Sequence, residues 1–162
     1  MNSVLVGFSR LWYRAQRLKI VKQSYGHGGN RHSVTGRSVL HGGRMIVLVV
    51  DDLRMQLDMV GFRLLRAGYK VLLCHSGEEA IETLNSQMVD LVITDMDMKS
   101  ISGEDILNFV RKEFGAMPVI LMTGNPDNLK KRGFDGYLEK PFTMQNLLDT
   151  VENTLTRITS FG

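Results

Sequence analysis

Residues 45–52 read Met45-Ile46-Val47-Leu48-Val49-Val50-Asp51-Asp52, an apolar run of strand length that ends on two acidic residues. The same plan recurs three times further on. Val89-Asp90-Leu91-Val92-Ile93-Thr94 leads into Asp95, Val119-Ile120-Leu121-Met122 into Thr123, and Tyr137-Leu138, past Glu139, into Lys140. Short, partly β-branched apolar runs of this kind are those of buried parallel strands, and Val71-Leu72-Leu73-Cys74 makes a fifth. The stretches between them have helical spacing. Met55, Met59, Phe62, Leu65 and Arg66 follow the first strand, Ala80, Ile81 and Leu84 the second, Ile106, Leu107, Val110 and Phe114 the third, and Leu147, Leu148, Val151 and Leu155 the fifth. Capping signals open three of these helices, at Ser76 with Glu79, at Ser102 with Asp105, and at Thr143. Gly68, Gly115 and Gly133 punctuate helix ends. Strands that alternate with helices require right-handed crossovers, hence a parallel sheet covered on both faces, a (βα)5 architecture.

At 162 residues, 43% of them hydrophobic, the chain holds one domain of ordinary size. A single cysteine, Cys74, excludes an internal disulfide framework, is expected to be a buried small hydrophobe, and suits a reducing cytoplasm. No apolar run approaches the roughly 18 residues of a membrane span. The net charge of +3 conceals a split, because residues 1–44 carry eight Lys or Arg and no acidic residue. The other 118 residues carry twelve basic and seventeen acidic side chains, a net charge of −5. The basic character therefore belongs to the first segment and gives no reason to expect DNA binding by the domain.

In an open parallel sheet, ligands bind beyond the carboxyl ends of the strands, at the point where the strand order reverses. With the order 2-1-3-4-5, Asp51 and Asp52 stand next to Asp95 at that point. Three clustered carboxylates repel one another unless a cation neutralises them, and oxygen-only ligands point to a hard ion, with Mg²⁺ expected. A carboxylate beside such an ion is suited to act as a nucleophile toward phosphorus, giving an aspartyl phosphate. Phosphoryl transfer also needs positive charge and a hydrogen-bond donor around the equatorial oxygens, which Lys140 and Thr123 are placed to supply. Gly124 leaves the approach open.

The stretches MIVLVVDD, VDLVITDMDMKSISG, LMTG and YLEKPF, in this order and spacing, resemble the receiver domain of two-component response regulators over Met45 to about Ile158. The resemblance implies a flavodoxin-like three-layer α/β sandwich and a bacterial signalling protein that is phosphorylated on aspartate. Asp95 is then the phosphoacceptor. Asp52 and Asp95 bind Mg²⁺ directly, the backbone carbonyl of Asp97 is a further ligand, and Asp51 acts mainly through water. Thr123 hydrogen-bonds the phosphoryl group and moves toward it, Lys140 pairs with it, and Tyr137 is the aromatic that swings inward. The Lys140-Pro141 bond is expected to be cis, as is common in the family.

Three departures from the family pattern stand out. Lys99 occupies a position where many receivers have proline, which implies a more mobile and more positive loop after the third strand. Asp97 adds a carboxylate where the family tunes attack of water on the phosphoryl group. Only sixteen residues separate Thr123 from Lys140, fewer than receivers usually have, so the fourth helix is expected to be shortened to little more than one or two turns. The face that carries output in the family is altered accordingly. Lys130-Lys131-Arg132 within it is a basic cluster, either a solvated turn or a contact for an acidic partner.

Residues 1–44 form a separate basic extension. Val4, Phe8, Leu11, Trp12, Ala15 and Leu18 recur at helical spacing among Arg10, Arg14 and Arg17, and a Gly-, Ser- and His-containing stretch of disordered character follows. Three readings compete: an amphipathic helix on an anionic membrane, a transit-like presequence, and a mis-called start whose true initiator is Met45. We prefer the third, since Met45 opens the first strand without slack and a purine-rich sequence encoding Gly42-Gly43-Arg44 would resemble a ribosome-binding site.

The expected function is that of a phosphoacceptor regulator and not an enzyme on other substrates. It would take a phosphoryl group from a histidine kinase or histidine phosphotransfer protein and signal to a separate effector, since the chain ends 22 residues after Lys140. Two rivals differ in class. A haloacid-dehalogenase-like phosphatase would use Asp95 and Asp97 as a DxD pair, but that family places the pair on its first strand and carries a cap. A receiver-like binding module without phosphorylation would not need Asp52, Asp95, Thr123 and Lys140 together.

Overall fold

Four of the five strand runs feed an α-helix, and the computed structural model, which describes residues 45–130 and 133–160, shows where each element begins and ends. Strand β1 (Ile46–Val50) leads to helix α1 (Arg54–Arg66), β2 (Lys70–Cys74) to α2 (Gly77–Ser86), and β3 (Leu91–Asp95) to α3 (Gly103–Phe114). Strand β4 (Val119–Thr123) is followed by a 3-10 helix, Pro126–Lys130, and β5 (Gly136–Glu139) by the long α4 (Met144–Ser160). The five strands are parallel in the order β2-β1-β3-β4-β5. The fold is the expected flavodoxin-like α/β sandwich. The fourth connection is the expected shortened one: among the described residues it contains a five-residue 3-10 helix and no α-helix.

Alternation along the strands divides the core in two. Val47, Val49, Leu91, Ile93, Ile120 and Met122 face one way, toward Leu57, Val60 and Leu64 of α1 and Leu147 and Val151 of α4. Leu48, Val50, Val92, Val119 and Leu121 face the other way, toward Ala80 and Leu84 of α2 and Ile106, Leu107 and Val110 of α3. The side chains of Leu57, Val60 and Leu64 are fully buried, each worth about 1.5–3 kcal/mol relative to exposure.

The caps follow the sequence. The Ser76 hydroxyl accepts from the Glu79 amide at 3.2 Å, while the Glu79 carboxylate reaches past Ser76 to the His75 amide at 2.7 Å. Ser102 and Asp105 form a reciprocal capping box, and the Thr143 hydroxyl accepts from the Asn146 amide at 3.1 Å. Gly68, Gly115 and Gly133 all have positive φ.

The residues named at helical spacing for the first helix are not its buried face. Met55, Met59, Phe62 and Leu65 are exposed, and the buried face is Leu57, Val60, Gly61 and Leu64. This helix is apolar on two stripes, and periodicity alone does not say which one meets the sheet. Gly61 shows why the second does: a Cβ there would lie 2.7 Å from Leu73 Cδ2, so α1 settles closely on β2 along its glycine face. The readings made for residues 1–44 and for the Lys130-Lys131-Arg132 cluster lie outside the described residues and side chains.

Candidate functional site

Register brings the strand ends level. Val50 is paired with both Cys74 and Thr94, Asp95 with Met122, and Thr123 with Glu139. The ladder runs one step beyond the strands: the Asp51 amide donates to the Cys74 carbonyl at 3.2 Å, the Met96 amide to Met122 at 3.1 Å, and the Lys140 amide to Thr123 at 2.8 Å. Asp51, Asp95, Thr123 and Lys140 thus leave the same edge of the sheet on backbone that pairing holds in place. The Lys140-Pro141 bond is cis.

Asp51 is fully buried, Asp52 half-buried and Asp95 buried, and one carboxylate oxygen from each lies within 4.8 Å of the other two. The Lys140 ammonium bridges two of them, at 2.7 Å from Asp95 Oδ1 and 3.3 Å from Asp51 Oδ2. The other Asp51 oxygen accepts from the Leu53 amide at 2.9 Å, which fixes the carboxylate at the start of α1. Burial pushes the Asp95 carboxyl above the usual carboxylate range; the Lys140 hydrogen bond and charge oppose this, and the charges of Asp51 and Asp97 add to it. A single ammonium is too little for three carboxylates. The donor set, oxygen-only and without His or Cys, fits a hard divalent cation.

Thr123 is fully buried at the end of β4. Its hydroxyl accepts from the Asn125 amide and from Asn128 Nδ2, both at 3.1 Å, and faces the Asn125 carbonyl at 3.4 Å. Gly124 beside it is exposed, with open space where a Cβ would stand. Tyr137 in β5 is half-buried, edge-on to the Phe134 ring at 6.0 Å, and burial, followed by the Asp135 charge, raises its phenol. Asp97 and Lys99 are exposed, and Met96 is buried with Met98 half-buried beyond it. The loop carrying them is tethered at both sides. The Gly103 amide donates to the Met96 carbonyl at 3.1 Å, and the Ser100 hydroxyl bonds the Glu78 carboxylate.

The structure therefore gathers Asp51, Asp52, Asp95 and Lys140 into one cluster and leaves Asp97 at its rim. Three participants escaped the sequence reading. Asn128 shows itself only through its reach back to Thr123. Gly103 lets α3 begin against the Asp95 backbone, since a Cβ there would meet the Asp95 carbonyl oxygen at 2.4 Å. Arg111, from α3, donates to the Met117 and Gly133 carbonyls, each at 2.6 Å, and to the Asp135 carboxylate at 2.7 Å, clamping the short fourth connection to the sheet.

Comparison with known proteins agrees with this arrangement. Residues 47–152 match the response regulator receiver domain family. The transcriptional regulatory protein GlrR of Escherichia coli is 33% identical over 114 residues, 67% of this chain and 26% of that protein, so the chain spans about a quarter of the length of this relative. Among solved structures, a response regulator receiver domain from Clostridium thermocellum is 37% identical, with a TM-score of 0.65 over 73% of this chain and 99% of that one. The response regulator TrrA of Thermotoga maritima, solved in complex with Mg(2+)-BeF, is 29% identical with a TM-score of 0.65 over 68% of this chain and 98% of that one. A family match across most of the folded region and a sheet edge built of Asp51, Asp52, Asp95, Thr123 and Lys140 lead to one conclusion: the chain belongs to the response regulator receiver domains.

Proposed function

We propose that this chain is the phosphoacceptor of a two-component or phosphorelay system, with Asp95 as the residue that carries the phosphoryl group. The observation that supports this most strongly is the Lys140 ammonium between Asp51 and Asp95, inside a cluster that Asp52 completes. A carboxylate oxygen of Asp95 attacks phosphorus, the bond between phosphorus and an imidazole nitrogen of the donor breaks, and that nitrogen leaves with the electron pair. Asp51, Asp52, Asp95 and the Asp97 backbone carbonyl would hold Mg²⁺, which supplies charge neutralisation at the transferring group. Lys140 keeps Asp95 oriented and pairs with the phosphoryl oxygens, and Thr123 donates its hydroxyl to one of them. Asp97, exposed at the rim, is placed to influence the water that later hydrolyses the acyl phosphate.

The donor is a sensor histidine kinase or a histidine phosphotransfer protein, and the setting is the cytoplasm. No helix among the described residues is long and apolar enough to cross a membrane. A protein donor suits the exposed apolar stripe of Leu53, Met55, Met59 and Phe62, since Met55 and Met59 line a groove that ends at Lys140, Pro141 and Phe142. Phosphorylation then biases a two-state equilibrium through Thr123 and Tyr137, and the altered face of the fourth connection and β5 signals to an effector. The phosphatase reading is disfavoured, because it needs Asp97 as an acid at the reacting centre and Asp97 lies outside the carboxylate cluster.

The test is incubation with Mg²⁺ and acetyl phosphate, followed by intact mass. One acid-stable, base-labile phosphoryl adduct that Asp95→Asn abolishes is the expected result. An adduct that survives Asp95→Asn, or none from any donor, refutes the assignment, and multiple turnover of a phosphomonoester favours the phosphatase.

A further inference from the structure

A hydroxyl has one proton to give and two lone pairs to offer. At Thr123 all three are engaged within residues 123–128: the lone pairs take the Asn125 amide and Asn128 Nδ2, and the proton faces the Asn125 carbonyl. None of these partners belongs to the carboxylate cluster. The Asn125 contacts are local and come with the turn, whereas the Asn128 contact brings a side chain back from the 3-10 helix. Its backbone is held by the Asn128 amide donating to the Asn125 carbonyl at 3.0 Å. Asn128 is only 9% exposed, so water cannot readily replace a lost partner.

We propose that Asn128 is a positioning residue, a latch that holds the Thr123 hydroxyl in its unphosphorylated place and must release it before the hydroxyl reaches a phosphoryl group on Asp95. This rests on Asp95 being the phosphoacceptor. Travel of the Thr123 oxygen toward Asp95 strips the buried Asn128 amide of its acceptor, so the resting position is favoured by about one hydrogen bond. The amide must find a new partner or move, and either response shifts the Pro126–Lys130 segment. In this chain the five-residue 3-10 helix is thereby coupled to the site through one side chain.

The experiment is calorimetric titration of the full chain with beryllofluoride in Mg²⁺, for wild type, Asn128→Ala, Asn128→Leu, Thr123→Val and the two double variants. The leucine variant keeps the volume where alanine leaves a gap, and circular dichroism verifies folding of each. Removing the latch is expected to tighten beryllofluoride binding about five-fold, the equivalent of one net hydrogen bond, and to have no effect in the Thr123→Val background. Unchanged or weaker binding in both Asn128 single variants overturns the latch while leaving the phosphoacceptor reading intact, as does the same tightening in the Thr123→Val background. Wild type that neither binds beryllofluoride nor forms an adduct overturns that reading and the latch with it.

Discussion

Gly103 is the residue on which the position of Asp95 most depends without any side chain of its own. It is the first residue of α3, buried, and its amide donates to the Met96 carbonyl at 3.1 Å. A Cβ built there falls 2.4 Å from the Asp95 carbonyl oxygen and 3.2 Å from both the Asp95 carbonyl carbon and Met96 Cα. Ordinary contacts begin near 3.4 Å, so Gly103→Ala must drive the helix start and the end of β3 apart by about 1 Å. Both sides are backbone, and neither has a rotamer to surrender. Overpacking of this kind costs about 1–3 kcal/mol. The reduced freedom of the unfolded chain on changing glycine to alanine returns about 0.4–1 kcal/mol. A net loss of about 1–2 kcal/mol remains, which for a domain of this size lowers Tm by about 4–8 °C. The displaced Asp95 also loses its 2.7 Å alignment with Lys140. Misplacement by this distance costs on the order of 100-fold in rate, so phosphorylation by acetyl phosphate should fall at least ten-fold. Gly124→Ala is the comparator for stability, because no atom lies within 4 Å of its Cβ position. It should change stability by less than about 0.5 kcal/mol. Thermal denaturation and single-turnover phosphorylation read the two effects, and a Gly103→Ala protein that melts at or above wild type and is phosphorylated at the wild-type rate refutes the packing argument.

Arg111→Ala removes three hydrogen bonds and leaves the Asp135 carboxylate with the Val119 amide at 2.7 Å. Discounted for partial exposure, the loss should be about 2 kcal/mol in urea denaturation. Lysine, which lacks the fork, should fail to restore it, and full rescue by Arg111→Lys would show that charge alone matters. In metal-free buffer the raised Asp95 carboxyl makes its ionisation unfavourable in the folded state. Its folded pKa exceeds the unfolded one, so its contribution is fully present below the unfolded value and is lost as pH rises through the folded value. Asp95→Asn should therefore gain stability relative to wild type as pH rises from 4 to 7, and urea midpoints that stay parallel across that range contradict this.

The strands and the site edge were legible because their signals are local. An apolar run of five residues ending on Asp51, Asp95 or Thr123 carries its burial and its terminal chemistry in adjacent positions. Parallel register then does the assembling, and it needs no further information once strand order is known. The α1 face was not legible, because Met55, Met59 and Phe62 and Leu57, Val60 and Leu64 both follow the three-and-four spacing of a helix face. The choice between the stripes is made by how closely Gly61 lets the helix approach Leu73 on another element. Asn128 and Arg111 were missed for the same reason, in that each acts on atoms whose proximity exists only after folding. The shortened fourth connection was legible as a count of residues, but not the clamp that Arg111 provides for it.

The charge at the site also sets an order of events for the proposed reaction. Three carboxylates and one ammonium, when ionised, leave two net negative charges at a largely buried sheet edge. Phosphorylation would replace the single charge of the Asp95 carboxylate with the roughly 1.5–2 of a phosphoryl group, a net gain of about 0.5–1. Lys140 cannot answer that charge alone, since it is already divided between Asp51 and Asp95. Without a cation, phosphorylation would therefore work against the field of the site, and a cation held by Asp51, Asp52 and Asp95 would supply the neutralisation that otherwise ties the ammonium to two carboxylates. Lys140 would then be free to follow the phosphoryl oxygens, while the bond from the Leu53 amide would hold Asp51 in place. On this proposal the side chain that bridges the resting carboxylates would become the partner of the modified one, and the bond from the Lys140 amide to the Thr123 carbonyl ties together the two residues that would meet the phosphoryl group.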